Sequence, residues 1–257
     1  MTHLHAVHEG HGATFLEQGD REFVAHYGNP ERVHRAVRTV VGVIEYGYGV
    51  LSIAGSGRRE ALEANITNIV PREEEGVYAL SLAPDGTVET DLYAFDAGDR
   101  LLVFTPPGQA RRVADLWRQR SVERASIDVA TDEFATFGVH GPKATEKVAS
   151  VFSGAAPDER LTFARGSMDR AGVTVVRTDA PAGEEGYDVI CAADAARTVF
   201  DTLENRGLNA APFGYRTWES LTLEAGTPLF ETELAGRDAD SLGLSTAVDP
   251  TKEGFVG

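Results

Sequence analysis

The fold is decided by residues 77–95, VYALSLAPDGTVETDLYAF. Two runs rich in aliphatic, aromatic and β-branched residues flank Asp85-Gly86, a dipeptide that favours tight turns between strands. This pattern predicts a β-hairpin with strands at 77–83 and 87–95. Because a hairpin joins antiparallel strands, it indicates a different architecture from a sheet built only of βαβ units.

The flanking sequence adds helices and further strands in mixed order. Asn29 can cap a helix that begins at Pro30, and Val33, Val37 and Val41 share its apolar stripe. Further strands are predicted near 48–54, 100–105, 124–129, 134–140, 159–164, 172–178 and 186–191. Further helices are predicted at 56–69, 107–119, after Pro142, at 194–206 and near 215–225. The mixture predicts an α+β fold of mostly antiparallel sheet with flanking helices, and the lack of an obvious linker favours two lobes that pack closely or interleave.

Composition excludes several classes of protein. The 257 residues are 42% hydrophobic, which is enough for a core and argues against overall disorder. The net charge of −16 argues against a nucleic-acid-binding surface, which needs a basic face. No long apolar run predicts a membrane span, and the N-terminus lacks the apolar centre of a signal peptide. We therefore expect a cytoplasmic protein without nucleic-acid or membrane partners.

Lysine is scarce among the basic residues. Only Lys143, Lys147 and Lys252 occur among the 24 Lys and Arg residues. An acidic, lysine-poor composition is typical of proteins from a high-salt cytoplasm, where screening weakens self-repulsion. A high-GC genome also replaces lysine with arginine, so the composition bears on the host and leaves the activity open.

Familiar catalytic signatures are missing from the sequence. There is no phosphate-binding loop, no dinucleotide-binding glycine motif, no nucleophile elbow and no zinc-protease motif. His3, His5, His8 and His11 could chelate a metal, but a flexible polar terminus accounts for them better, and no metal is expected. The single cysteine, Cys191, lies in an apolar run and is interpreted as a small buried residue.

Asp91 stands out because aspartate is disfavoured in the middle of a strand. Strand alternation places Asp91, Tyr93 and Phe95 on one face. A carboxylate between two aromatic rings suits a planar, nitrogen-rich ligand. A solvent-exposed face with incidental aromatic residues explains the pattern equally simply, and composition alone favours that interpretation.

Glu184 lies in the run Ala182-Gly183-Glu184-Glu185-Gly186-Tyr187. The flanking glycines allow close backbone approach, and a carboxylate there could accept two N–H bonds from a ring that carries an amino group. An acidic hairpin turn is the alternative, and composition alone again favours it.

Seven motifs in order resemble the folate-binding region of the glycine cleavage T-protein (aminomethyltransferase) superfamily. The resemblance runs from about His26 to Gly257. The matching segments are His26-Tyr27-Gly28-Asn29-Pro30, Asn65-Ile66-Thr67-Asn68, the strand Asp85 to Leu92, His140-Gly141-Pro142-Lys143-Ala144 for the family's QGPKA, Gly183-Glu184-Glu185-Gly186-Tyr187-Asp188, Leu223 to Leu229 (LEAGTPL), and the closing KEGFVG from Lys252.

The resemblance implies a tetrahydrofolate-binding enzyme that transfers an aminomethyl or methyl group. It places Asp91 beside the reactive nitrogens of tetrahydrofolate as the catalytic residue, and Glu184 against the pterin ring. Tyr93, Phe95 and Tyr187 are expected to contact the cofactor as well. It also implies an inserted lobe at 51–134 and another lobe formed by 1–50 with 135–257. The family's C-terminal β-barrel follows the closing motif, so we expect it to be absent from this chain.

Several positions depart from the family pattern. Thr222 replaces the arginine before LEAG, Pro181-Ala182 replaces Tyr-Thr, and the D-x-S segment reads Glu45-Tyr46-Gly47. These changes keep open a non-catalytic folate-binding accessory protein, such as one supporting iron–sulfur cluster assembly, although Gly254 stands where that branch has cysteine. The donor stays open between an aminomethyl group on a lipoyl carrier protein, dimethylated amines and methyl thioethers, and the sequence does not indicate an oligomeric state.

Overall fold

A computed structural model describes residues 2–19, 21–120, 124–244 and 246–252 of the chain. The chain divides into two compact units, each built from two stretches of sequence. The first unit is Met1–Gly47 with Asp132–Thr227, and the second is Tyr48–Thr131 with Pro228–Gly257.

The described residues form the following strands and helices. The strands are β1 Ala13–Gln18, β2 Arg21–Tyr27, β3 Gly42–Glu45, β4 Gly49–Ala54, β5 Gly76–Leu82, β6 Val88–Asp96, β7 Leu101–Thr105, β8 Ser126–Val129, β9 Phe134–His140, β10 Phe163–Met168, β11 Ala171–Arg177, β12 Gly186–Ala192 and β13 Ala211–Pro212. The helices are α1 His5–Gly10, α2 Pro30–Thr39, α3 Arg58–Glu63, α4 Ala110–Arg120, α5 Ala144–Val151, α6 Ala196–Asn205 and α7 Tyr215–Ala225.

The first unit is organised around a sheet with strand order β10-β11-β12-β9-β3-β13. Neighbouring strands are antiparallel, except for the short parallel pair of β13 and β3. Alternate residues such as Val139, Tyr187 and Val189 point into one apolar core, which α5 and α6 cover with Val148 and Phe200. The opposite face of β9 and β12 carries polar residues, and this is where the candidate site of this unit lies.

Helix α2 begins as the sequence predicts and ends earlier. The Asn29 side chain accepts a hydrogen bond from the Arg32 backbone N–H, an interaction that stabilises a helix by about 1 kcal/mol. The apolar stripe predicts a helix that reaches Val41, but α2 ends at Thr39. The chain becomes extended there because β3 starts at Gly42 and pairs with β9.

The N-terminal histidines do not form the flexible polar terminus that the sequence predicts. Residues His5–Gly10 form α1, and His8 is fully buried. Its Nε2 lies 2.6 Å from Glu45 Oε2, and its Nδ1 lies 2.7 Å from the Tyr27 hydroxyl. The buried carboxylate and hydroxyl of these partners hold the segment in place, a long-range pairing that local sequence does not encode.

The second unit contains a five-stranded antiparallel sheet with order β5-β6-β7-β4-β8. The predicted hairpin is confirmed as β5 and β6, with a register irregularity between Ser81 and Leu82. One face packs under α3 and α4, where Trp117 is fully buried and its indole N–H donates to Ser81 Oγ at 3.1 Å. This bond satisfies a donor that would otherwise be costly to bury.

The segment that starts at Pro228 groups with the second unit, whereas the sequence predicted it in the lobe with 135–257. A π-helical turn at Phe230–Leu234 buries its two apolar ends against Leu80 and Leu82. Burying side chains of this size contributes roughly 1.5–3 kcal/mol each, which explains the grouping. The closing motif after Lys252 lies outside the described residues, as does Gly254.

No helix in the described ranges has both the length and the apolar character required to cross a lipid bilayer.

Candidate functional site

Asp91, Tyr93 and Phe95 lie on one face of β6 in the second unit, as alternation along the strand requires. Tyr93 is directly opposite Tyr78 of β5, and their ring centroids are 5.0 Å apart. Phe95 is buried and packs edge-on against Phe104 at 5.7 Å. Two tyrosine rings and a buried phenylalanine thus share the strand face of the half-buried Asp91 carboxylate.

The Asp91 carboxylate has one hydrogen-bonded oxygen and one without a partner. The Tyr78 hydroxyl donates to Oδ2 at 3.1 Å, while the buried Oδ1 has no hydrogen-bond partner among the described residues. Burial raises the pKa of Asp91 to about 6, although the Tyr78 hydroxyl opposes the rise and the Glu231 carboxylate adds to it. At neutral pH this carboxylate is mostly ionised and still able to take up a proton.

Glu184 lies in the tight turn before β12, in the first unit. Gly183 adopts a φ of 77°, a left-handed conformation that explains the glycine in the motif. Arg38 of α2 donates to Glu184 Oε1 at 3.1 Å and to the Ala182 carbonyl oxygen at 2.7 Å. The same guanidinium donates to Glu224 of α7 at 2.8 Å. Glu184 is thus paired with a cation that also anchors its turn.

Asp188 is a candidate site residue that the sequence reasoning missed. It lies four residues after Glu184 within the same quoted motif, on the polar face of β12. Its buried Oδ1 has no hydrogen-bond partner in the described part of the chain. Burial raises the pKa of Asp188 to about 8, and the nearby Asp179 carboxylate adds to the rise. Aspartate is disfavoured in the middle of a strand, so the same sequence signal marks both Asp91 and Asp188.

His140 faces the same side of the sheet as Asp188. Gly186 pairs with His140 and Asp188 pairs with Gly138, so these four residues form adjacent rungs on one face. His140 is fully buried, and burial lowers its pKa to about 3, which keeps the imidazole neutral. Its Nε2 lies 2.5 Å from the Tyr46 hydroxyl. The face thus presents a desolvated carboxylate and a desolvated neutral imidazole.

Tyr187 lies on the opposite face of β12 from its sequence neighbour Asp188. Its side chain points into the apolar core on the other face, and its hydroxyl lies 3.1 Å from Thr145 Oγ1. The Arg177 guanidinium lies 4.9 Å from the ring centroid. These contacts assign Tyr187 a packing role and place it away from the face of Asp188.

Two further residues behave as ordinary structural residues. Cys191 is buried, as predicted, and burial raises the pKa of its thiol to about 12, so it is a poor nucleophile. Thr222, which replaces the family arginine, is buried in α7, and its hydroxyl donates to the Trp218 carbonyl oxygen at 3.0 Å. In the described residues, no group of three or more His, Cys, Asp or Glu side chains is arranged to hold a metal ion.

The family model of the GCVT N-terminal domain matches residues 4–252. The chain belongs to this family. An aminomethyltransferase of Corynebacterium aurimucosum is 29% identical, over 99% of this chain and 72% of that protein. An aminomethyltransferase of Corynebacterium jeikeium is 30% identical, over 100% of this chain and 72% of that protein. A probable aminomethyltransferase of Halobacterium salinarum is 28% identical, over 99% of this chain and 73% of that protein.

The fold agrees with that of a solved family member. The glycine cleavage system aminomethyltransferase T from Bartonella henselae superposes with a TM-score of 0.79 at 18% identity. The match covers 91% of this chain and 64% of that one. The predicted family and the predicted α+β fold class are therefore confirmed.

Proposed function

We propose that this chain is a tetrahydrofolate-dependent transferase that moves a one-carbon unit from an amine or methyl donor. Membership of the GCVT N-terminal domain family and the names of its aminomethyltransferase relatives support this class of reaction. The single structural observation that carries the proposal is the Asp91 carboxylate, which is desolvated, accepts a hydrogen bond from one tyrosine hydroxyl and shares its strand face with Tyr93 and Phe95.

The residues present fit a reduced pterin. The ring carries amino and amide N–H donors, and these require buried acceptors that the protein leaves unpaired. Asp188 Oδ1 and Glu184 Oε2 are such acceptors in the first unit, because neither has a hydrogen-bond partner among the described residues. We propose both as ring-binding groups. Glu184 would act with its charge already paired to Arg38.

Asp91 is proposed to accept a proton during transfer. Tetrahydrofolate supplies, when bound, the nitrogen nucleophile that takes up the one-carbon unit. A pKa of about 6 keeps Asp91 ionised at neutral pH, and the Tyr78 hydroxyl fixes the orientation of the carboxylate. Tyr93 and Phe95 would supply apolar contacts to the ligand and exclude water from the carboxylate.

We also make proposals about the one-carbon donor, the cellular location and the host of this enzyme. A small amine or an aminomethyl group on a lipoyl carrier protein is consistent with the family, and nothing in Asp91 and its neighbours distinguishes the two. We also propose a cytoplasmic location in a high-salt host. The acidic, lysine-poor composition and the Halobacterium salinarum relative support the host.

The alternative of a folate-binding accessory protein receives no support from the names of the relatives. Titration calorimetry with tetrahydrofolate in molar salt, followed by transfer assays with each donor class, separates the two functions. Binding with turnover on at least one donor supports the enzyme. Binding without turnover on any donor would favour the accessory role, and absence of binding would overturn both.

A further inference from the structure

Asp188 and His140 lie on one face of the first unit's sheet as diagonal neighbours. Asp188 is paired with Gly138, and His140 is paired with Gly186. Residues paired across antiparallel strands point to the same side, and so do residues two apart along one strand. Diagonal neighbours of this kind are within reach of one bound ring.

The two glycines make room for the polar groups above them. A Cβ at Gly186 would lie 2.6 Å from His140 Nδ1, and a Cβ at Gly138 would collide with the Tyr46 hydroxyl. Side chains at these positions would displace the imidazole and the phenol. The glycines therefore let both groups lie close to the backbone of the sheet, beside Asp188.

The tautomer of His140 follows from its partner. A phenol is a better donor than a neutral imidazole N–H, so Tyr46 donates to Nε2 across 2.5 Å. The ring proton is then on Nδ1. This buried Nδ1 has no hydrogen-bond partner in the described ranges. Both Tyr46 and His140 lie in segments that depart from the family pattern, which has glutamine in place of His140.

An unpaired buried donor beside an unpaired buried acceptor is costly unless a ligand satisfies both. We propose that His140 is a specificity-determining residue. Its Nδ1–H recognises the 4-oxo group of a pterin while the Asp188 carboxylate accepts the neighbouring N–H groups. His140 and Asp188 would thus together recognise the pterin edge that presents two N–H donors and one carbonyl acceptor. This inference rests on the proposed function, because it identifies the ring edge that the same face recognises.

The test compares tetrahydrofolate with its 4-amino analogue, in which an amino donor replaces the 4-oxo acceptor. The readout is the ratio of the two dissociation constants, measured by calorimetry in molar salt. Loss of the His140 donor in His140→Leu should shift this ratio by about tenfold against the 4-oxo ligand, the usual effect of one hydrogen bond. His140→Gln retains an N–H donor and should keep the ratio within about threefold of wild type.

His26→Leu is the matched control, because His26 also has an unpartnered ring nitrogen on a strand of the first unit. Its ratio should not change. An unchanged ratio in a folded His140→Leu variant would overturn the inference and leave the proposed function standing. Failure of the wild-type protein to bind either ligand would overturn both.

A second measurement needs no destabilising variant. Nitrogen NMR of ring-labelled histidine should show His140 as the Nδ1–H tautomer in the wild-type protein. The Nδ1–H resonance should move downfield on addition of folate, and Tyr46→Phe should release the tautomeric preference. An Nε2–H tautomer in the free protein, or an Nδ1–H resonance that folate leaves unchanged, would contradict the assignment.

Discussion

Asp91 and Asp188 are both half-buried aspartates in the middle of a β-strand, each with one buried and unpartnered oxygen among the described residues, but their surroundings differ. Asp91 accepts a hydrogen bond from Tyr78, and its pKa is about 6. Asp188 has a second carboxylate, Asp179, nearby, and its pKa is about 8. The Tyr78 hydroxyl and a backbone hydrogen bond lower the pKa of Asp91, whereas Asp179 raises that of Asp188, so the first group is ionised at neutral pH and the second is largely neutral. The first suits proton transfer, and the second would ionise when a ligand brings N–H donors that favour the carboxylate form.

The largest effect is expected from Asp91→Asn, which tests the catalytic side of this comparison. Removing the proton acceptor should lower the single-turnover rate about 10²- to 10⁴-fold, a range typical for loss of an acid–base group. Tetrahydrofolate affinity should change less than about threefold, because the amide keeps the shape of the side chain. Asp128→Asn on the exposed side of β8 is the control and should leave both quantities unchanged. A large loss of affinity with a normal rate would instead make Asp91 a binding residue.

Asp188→Asn tests the binding side and should weaken tetrahydrofolate binding by about ten- to a hundredfold, the effect of one charge-assisted bond. It should also change stability. Because the folded-state pKa is raised, the folded protein binds the proton more tightly, and wild-type stability falls as pH rises from about 4 to about 8. The variant should therefore gain on the order of 3 kcal/mol over wild type between pH 5 and pH 9.

Chemical unfolding at the two pH values measures this gain. Similar pH dependence in both proteins would show that Asp188 is solvated and would remove the basis for its proposed role.

Features that depend on residues close together in the sequence could be predicted from it. Asp85-Gly86 between alternating runs predicted the β5–β6 hairpin, and the same alternation grouped Asp91 with Tyr93 and Phe95. The burial of His8 could not be predicted in this way, because its partner Glu45 is remote in sequence. Asp188 was not predicted although it lies in the motif Gly183–Asp188, because the burial of its Oδ1 depends on strands that are remote in sequence. Tyr187 was expected to contact the cofactor, but strand alternation turns its side chain into the apolar core and away from the face of Asp188.

Glu184→Gln extends the comparison of the two aspartates to a carboxylate that is already paired with a cation, Arg38. Arg38 compensates the charge of Glu184, so loss of that charge should weaken tetrahydrofolate binding about three- to tenfold, less than at Asp188. The turn should persist, because Arg38 also donates to Ala182 and Glu224. Calorimetry on Glu184→Gln and Asp188→Asn side by side gives the order of the two effects. A greater loss at Glu184 would make it the principal ring-binding carboxylate.

The smallest effect is expected from Tyr78→Phe, which removes the hydroxyl that distinguishes Asp91 from Asp188. A hydrogen bond to the charged form of a carboxyl lowers its pKa, so its loss should raise the pKa of Asp91 above about 6. The transfer rate depends on ionised Asp91 and falls as pH decreases through that pKa. The acid limb of the rate profile should therefore move to higher pH by up to about one unit, while the rate at pH 9 stays close to wild type. Because Phe retains the ring beside Tyr93, tetrahydrofolate affinity at pH 9 serves as the internal control. A rate that falls equally at every pH would show that the hydroxyl orients the carboxylate without setting its pKa, and the difference between the two aspartates would then have to come from burial, the backbone hydrogen bond of Asp91 and the neighbouring carboxylates.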